Sequence, residues 1–164
     1  MNKQEILDEI NKTKEHLANM EKMLAECEYE RWKPEHSKEY WIVDSWGMIY
    51  NQIWTNSNSD QKRYDFYNCF QTREQAEVEA EKILVRRQLE DIARRLNKGQ
   101  KIDWNDDKQF KYSICINSSD NEITWDSEVL YISQGVVYCL DMNFYNVAIQ
   151  EIGEERLKKY LRGE

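Results

Sequence analysis

A single residue, Pro34, divides this 164-residue chain into two stretches with different hydrophobic periods, and it is the only proline. Ahead of it, Ile6, Ile10, Thr13, Leu17, Met20, Leu24 and Cys27 recur at alternating steps of four and three. That is the 3.5-residue period of a helix whose narrow apolar stripe has to be covered by another helix. Glu9, Lys12, Glu15, Glu21 and Lys22 charge the remaining positions. The spacing predicts one helix over residues 3–30, stopping before Trp32-Lys33-Pro34, because the residue ahead of a proline is pushed out of helical backbone. A helix packed on its own globular body uses a broader apolar face. The narrow stripe therefore predicts a parallel homodimeric coiled coil, or a higher homo-oligomer, joined through Ile6, Ile10, Thr13, Leu17, Met20 and Leu24. Three heptads make a short seam, and isolated helices of that length are marginal in water. Thr13 weakens the seam while helping to fix its register, as polar core positions do.

Beyond Pro34 the period falls to two. Tyr40–Val43 and Met48–Trp54 are β-rich runs joined by Asp44-Ser45-Trp46-Gly47, a hairpin-like turn. Thr55 to Lys62 reads as a loop and Arg63–Tyr67 as a third short strand. Thr72-Arg73-Glu74-Gln75 is a capping box. It opens a helix expected to reach Leu96 and to stop at Asn97-Lys98-Gly99, with glycine as the C-terminal stop. The plan then recurs. Phe110–Ile116 reads as a strand and Asn117–Asn121 as a turn. Further strands fall near 122–125, 129–132 and 136–139, and Asp141 caps a helix to about Leu161. Tyr40 matches Tyr112, Ile42 matches Ile114, Trp54 matches Trp125, Thr72 matches Asp141 and Ile83 matches Ile152, at offsets of 69 to 72 residues. The expected fold is α+β: an N-terminal coiled-coil helix (1–31) followed by two similar β-β-β-α units (32–99 and 100–164), antiparallel strands packed on helices.

Composition narrows the function classes. Lys and Arg number 23 against 31 Asp and Glu, a formal charge of −8, which argues against direct binding to a nucleic-acid backbone. No apolar run approaches the roughly 20 residues of a membrane span, and the charged start is not a secretory signal, so a cytoplasmic location is expected. Cys27, Cys69, Cys115 and Cys139 lie far apart without a C-x-x-C pair, which favours reduced thiols over disulfides or zinc. His16 falls within a charged helix and His36 lies beside the proline, so no metal is expected. The five glycines form no phosphate loop, and no cofactor is expected. Neither histidine carries a sequence cue pairing it with a cysteine. Catalysis requires such a pairing, a metal cluster or a cofactor loop, and the reading is that of a protein that is not an enzyme.

Two binding readings follow. Among sixteen Trp and Tyr residues, Trp41, Trp46, Trp54, Tyr64, Trp125 and Tyr131 offer stacking walls, and Arg63 or Arg87 offers charge to a phosphate. The candidate ligand site for a small nucleotide is Trp46, Trp54, Arg63, Tyr64, Arg87 and Trp125, with Trp46, in the turn, the best-exposed ring. Alternating aromatics on strands more often form a core. The other reading uses the seven carboxylates and two lysines from Asp103 to Glu128. Asp103, Asp106, Asp107, Asp120 and Glu122 would form an acidic partner-binding surface imitating nucleic-acid phosphates. The same carboxylates serve equally as solubilising groups on loops. Asp103, Asp106 and Asp107 lack the ligand spacing of a calcium loop.

Three segments carry a resemblance: Trp32-Lys33-Pro34 with Glu39–Ser45, Asn68–Glu77, and Ala148–Tyr160. They resemble a group of small accessory proteins of Firmicute phages and prophages, discontinuously over 32–160. The N-terminal helix fits only in character. No catalytic residues come with the likeness. It implies an accessory phage protein in the cytoplasm of the host bacterium, of the kind that antagonises antiviral defence. In this setting the first reading becomes sequestration of a nucleotide immune signal. The second becomes inhibition of a host defence protein or nuclease, such as a CRISPR effector. A structural or regulatory phage adaptor is a third class.

Overall fold

The computed structural model describes residues 3–26, 31–117 and 119–164, with side chains of the first helix described at 6, 7 and 9–20. The chain forms two compact units, Met1–Lys33 and Pro34–Glu164. Within the first, α1 spans Lys3–Glu26. The expected extension to residue 30 lies outside the described residues, as do Cys27 and the Leu24 side chain.

The second unit is α+β. It contains β1 (Glu39–Val43), β2 (Ile49–Ile53), α2 (Asn58–Asp65), α3 (Arg73–Asn97), β3 (Lys111–Asn117), β4 (Glu122–Glu128), α4 (Phe144–Ile152) and α5 (Glu154–Arg162). The strands form two separate antiparallel hairpins, β1–β2 and β3–β4, in which Trp41 faces Asn51 and Tyr112 faces Ser127. α3 packs on the first hairpin, β1 and β2, and also on α4 and α5. Its C-terminal half supplies Val85, Leu89, Ile92 and Ala93 to a core completed by Ile114, Ile123, Cys139, Phe144, Ala148, Ile152 and Leu157. The two sequence halves are thus joined in one body, with α3 serving both.

The expected three-strand units are absent among the described residues. Arg63–Tyr67, read as a strand, falls mostly in α2 instead. Ser57 caps that helix with its hydroxyl on the Asp60 amide (3.2 Å), and the Asp60 carboxylate accepts the Ser57 amide (3.1 Å). This reciprocal pair satisfies two otherwise orphaned amides, in a stretch whose polarity reads as loop. Residues 129–139 form no strand either. Beyond β4 the Val129 carbonyl accepts from the Lys111 ammonium (2.8 Å), and the Ser133 amide donates to the Tyr138 hydroxyl (3.0 Å). Side-chain contacts here override the β preference of the apolar residues.

A remnant of the third strand survives in each half. Trp41 exchanges two backbone hydrogen bonds with Phe70, both 2.9 Å, shortly before α3. Tyr112 exchanges two with Cys139 (2.7 and 2.9 Å), shortly before α4. Each half therefore has a hairpin and a one-residue bridge to its first strand just ahead of a helix, with α2 preceding the bridge in the first half and α5 following α4 in the second. These bridges equate Trp41 with Tyr112, one position away from the Tyr40–Tyr112 match. With that offset, burial runs identically along Glu39–Val43 and Phe110–Ile114: exposed, buried, half-buried, buried, buried. The Trp54–Trp125 match fails in space, since Trp54 follows β2 in the core whereas Trp125 lies mid-β4 with its ring half exposed.

α3 starts as read, with Thr72 Oγ1 accepting the Gln75 amide (3.3 Å) and Gln75 Oε1 accepting the Thr72 amide (3.4 Å). At its end Lys98 takes the left-handed conformation (φ 48°), ahead of Gly99. The predicted single helix from Asp141 is two helices, because Gly153 at φ 95° breaks it. Asp141 does not cap α4: its carboxylate accepts the Asn143 amide (2.8 Å) in the preceding turn. No helix among the described residues is long and apolar enough to cross a membrane.

Candidate functional site

The first hairpin's turn determines what its tip presents. The Asp44 amide donates to the Met48 carbonyl (2.9 Å), and the Gly47 amide donates to the Asp44 carbonyl (3.0 Å). The Asp44 carboxylate accepts the amides of Trp46 and Met48, both at 2.8 Å. Gly47 takes φ +82°, a value side-chain-bearing residues adopt at a cost, which closes a three-residue hairpin loop. These bonds are centred on Asp44, and the Trp46 ring is left 84% exposed.

That ring lies at the mouth of a 210 Å³ cavity floored by Ile49, Ala80, Ile83 and Leu84, with Glu77, Glu81 and Arg87 also lining it. Three elements build it: the turn, β2 and the outer face of α3. Arg87 is tied to the turn by Nη1 donating to the Ser45 carbonyl (3.2 Å). A carbonyl does not neutralise the guanidinium, and among the described residues Arg87 has no ion-pair partner, so it brings a positioned cation to the cavity. The two carboxylates have cationic partners of their own. Glu77 pairs with Arg73 (2.9 Å) and Glu81 with Arg156 (2.6 Å). The cavity is below the roughly 300–1,000 Å³ of a pocket for a drug-sized ligand, and its size suits one ring system.

The six aromatic and arginine candidates separate into three places. Trp46 and Arg87 meet at this cavity. Trp54, Tyr64 and Arg63 lie together elsewhere, around Asp60. Trp54 is 1% exposed and edge-on to both Tyr40 (5.7 Å) and Tyr64 (6.3 Å), and its indole N–H donates to Asn56 (2.6 Å). Arg63 donates to the Tyr40 hydroxyl (2.9 Å) and to Gln52 (3.3 Å) and stands 3.7 Å from Asp60. Asp60 is buried and accepts from the Tyr40 hydroxyl (2.7 Å), the Thr55 amide and hydroxyl (both 2.9 Å) and the Ser57 amide. Burial alone would raise its pKa, yet the bonds from Tyr40, Thr55 and Ser57 outweigh burial and hold it well below the usual carboxylate range. Tyr40, desolvated and bonded to that carboxylate, is pushed up to about 12. This is a fully hydrogen-bonded structural cluster. Trp125 stands apart on the second hairpin, edge-on to Tyr112 at 5.9 Å.

Three of the five acidic candidates close local turns. Asp103 and Asp106 each accept an amide two residues on (2.9 Å), and Asp120 accepts the Glu122 amide (3.1 Å). Such bonds are those of turn-closing aspartates. Glu122 pairs with Lys158 at 3.2 Å, and Asp107 is exposed on the same loop as Asp103 and Asp106. Among the described residues no three His, Cys, Asp or Glu side chains gather as a metal site. Burial pushes the thiols of Cys115 and Cys139 up, which keeps both protonated at neutral pH.

Sequence reasoning missed Lys111. It is fully buried, donating to the carbonyls of Asp106 (3.0 Å) and Val129 (2.8 Å), with its ammonium 5.3 Å from the Trp104 ring centre. A lysine at the start of a strand gives no sequence signal of burial. Comparison of the chain with family models, curated proteins and solved structures finds no match.

Proposed function

We propose that this chain is a binding protein without chemistry of its own, which holds the base of a small nucleotide against Trp46 and directs its phosphate to Arg87. The carrying observation is the pairing of an 84%-exposed tryptophan with a turn-anchored arginine at one small cavity that also holds Ile49, Ala80, Ile83 and Leu84. A planar base stacked on the indole buries apolar area that is otherwise wet, and a guanidinium matches phosphate geometry in a bidentate fork. The resemblance to accessory proteins of Firmicute phages and prophages supports a biological role for such capture: sequestering a nucleotide signal of host defence.

The test is retrieval. The purified full-length chain is incubated with nucleoside monophosphates and cyclic dinucleotides, freed of excess ligand and heated, and the supernatant is identified by mass spectrometry. The proposal expects intact nucleotide from the native chain. Removing one stacking ring forfeits roughly 1–3 kcal/mol, so Trp46→Ala should bind about 5- to 150-fold more weakly. Arg87→Met should lose the preference for phosphorylated over unphosphorylated nucleosides. Release of a chemically altered nucleotide would make the chain an enzyme. Absence of bound nucleotide, with a basic host protein co-purifying, would replace sequestration by the acidic-inhibitor reading.

A further inference from the structure

We infer that α1 joins two copies of this chain as a parallel, in-register pair, with its direction set by Glu9 of one copy meeting Lys14 of the other. Ile6, Ile10 and Leu17 are each about half exposed along one line of the helix. With Thr13 they floor a 330 Å³ groove flanked by Glu9 and Lys14. Thr13 donates its hydroxyl to the Glu9 carbonyl (2.8 Å), so its polar atom is satisfied within the helix and its methyl is left for a covering surface. The floor is therefore apolar throughout, despite a hydroxyl in the stripe.

The flanking charges select the occupant. On the four-three spacing, Ile10 and Leu17 take one core position of the heptad (a), and Ile6, Thr13 and Met20 take the other (d). Glu9 then stands immediately before an a residue (position g), and Lys14 immediately after a d residue (position e). In a parallel pair a g residue lies beside the e residue five positions further along its partner, and opposite charges there set orientation and partner choice. Glu9 and Lys14 are five apart, so the chain complements itself, twice across a two-fold axis. An antiparallel pair would set g against g and e against e, which forfeits both contacts. An unrelated helix would have no reason to match this spacing. The inference is independent of any ligand at Trp46.

Sedimentation equilibrium on the full-length chain tests it, with helicity followed by circular dichroism. The native chain should be dimeric at micromolar concentration. Glu9→Lys and Lys14→Glu should each weaken self-association roughly tenfold, by replacing two attractions with two repulsions of similar size. Mixing these two variants should give a heterodimer in preference to either homodimer, and the double variant E9K/K14E should recover native affinity. Leu17→Asp should give monomer. A monomeric native chain would overturn the inference. So would single charge variants that associate like the native chain, or a mixture with no preference for the heterodimer.

Discussion

The two halves of the Pro34–Glu164 unit share a plan but differ at its most buried strand position. One residue ahead of each bridge, the first half buries Tyr40 and the second buries Lys111. Both are long side chains that run through the interior and use a polar tip to hold a loop. Tyr40 reaches a carboxylate, Asp60, which in turn fastens Thr55 and Ser57. Lys111 reaches two backbone carbonyls and the face of Trp104. The plan thus fixes the length of the side chain and the presence of a polar end, but leaves its chemistry open. Identity-based matching slides for this reason: pairing Tyr40 with Tyr112 shifts the strand by one residue, and a one-residue shift exchanges the faces of a strand.

The largest expected contrast is between the two tryptophans that sequence matching equates. Trp54→Ala should cost about 3–5 kcal/mol as a core truncation, whereas Trp125→Ala should cost about 1 kcal/mol or less at a half-exposed site. Urea unfolding curves measure both, and equal costs would restore the sequence match and break the register assigned by the bridges.

Next comes the buried anchor itself. Asp60→Ala leaves the donors of Tyr40, Thr55 and Ser57 without their acceptor and should cost about 3 kcal/mol. Lys111→Met keeps the length of the side chain, and the carbonyls it abandons lie in loops, so about 1–2 kcal/mol is expected. The anchors also differ in pH response. Asp60 has a depressed folded pKa, so its contribution is complete above the ordinary carboxylate range and is lost as pH falls below about 4. Tyr40 is raised to about 12, so its contribution is complete below the unfolded value near 10 and is lost as pH climbs toward 12. Asp60→Asn should flatten the acid limb of a stability–pH curve and Tyr40→Phe the alkaline limb. Limbs unchanged by these variants would show that the cluster does not govern stability.

The smallest contrast concerns the helix starts. Thr72→Ala removes the hydroxyl that accepts the Gln75 amide, leaving the Thr72 amide on Gln75 Oε1, and should cost about 1 kcal/mol. Asn143 makes no side-chain cap bond at α4, and Asn143→Ala should stay within about 0.5 kcal/mol of the native chain. A reversed order would show that α4, not α3, depends on its cap.

These contrasts also explain what the sequence revealed. α3 was legible because its start is chemically local: Thr72 and Gln75 are three residues apart, and the apolar period runs uninterrupted to Leu96. Both hairpins were legible from alternation and turn residues. α2 was not, because Ser57 and Asp60 are a cap signature embedded in a polar run, and their anchor is Tyr40, twenty residues upstream of Asp60. The run from Val129 to Cys139 has strand composition, but side chains engage its backbone instead of a ladder: Lys111 bonds the Val129 carbonyl, and Tyr138, within the run, bonds the Ser133 amide. At the candidate site, Trp46 could be recognised as exposed because it sits in a turn. Its partnership with Arg87, 41 positions away, depends on how the hairpin lies on α3. Trp54 and Arg63 have the same chemistry in sequence and are drawn instead into the Asp60 cluster.

The proposed nucleotide site lies at the first hairpin's tip, apart from the other candidate rings. An indole N–H spectrum of the ¹⁵N-labelled chain, titrated with adenosine monophosphate, reads each ring in turn, because each of the six tryptophans carries one indole N–H whose signal can be assigned by substitution. The Trp46 signal should move while those of Trp54 and Trp125 stay fixed, and Arg87→Met should weaken the response. Movement of Trp125 with Trp46 stationary, or no movement at saturating nucleotide, would contradict that placement.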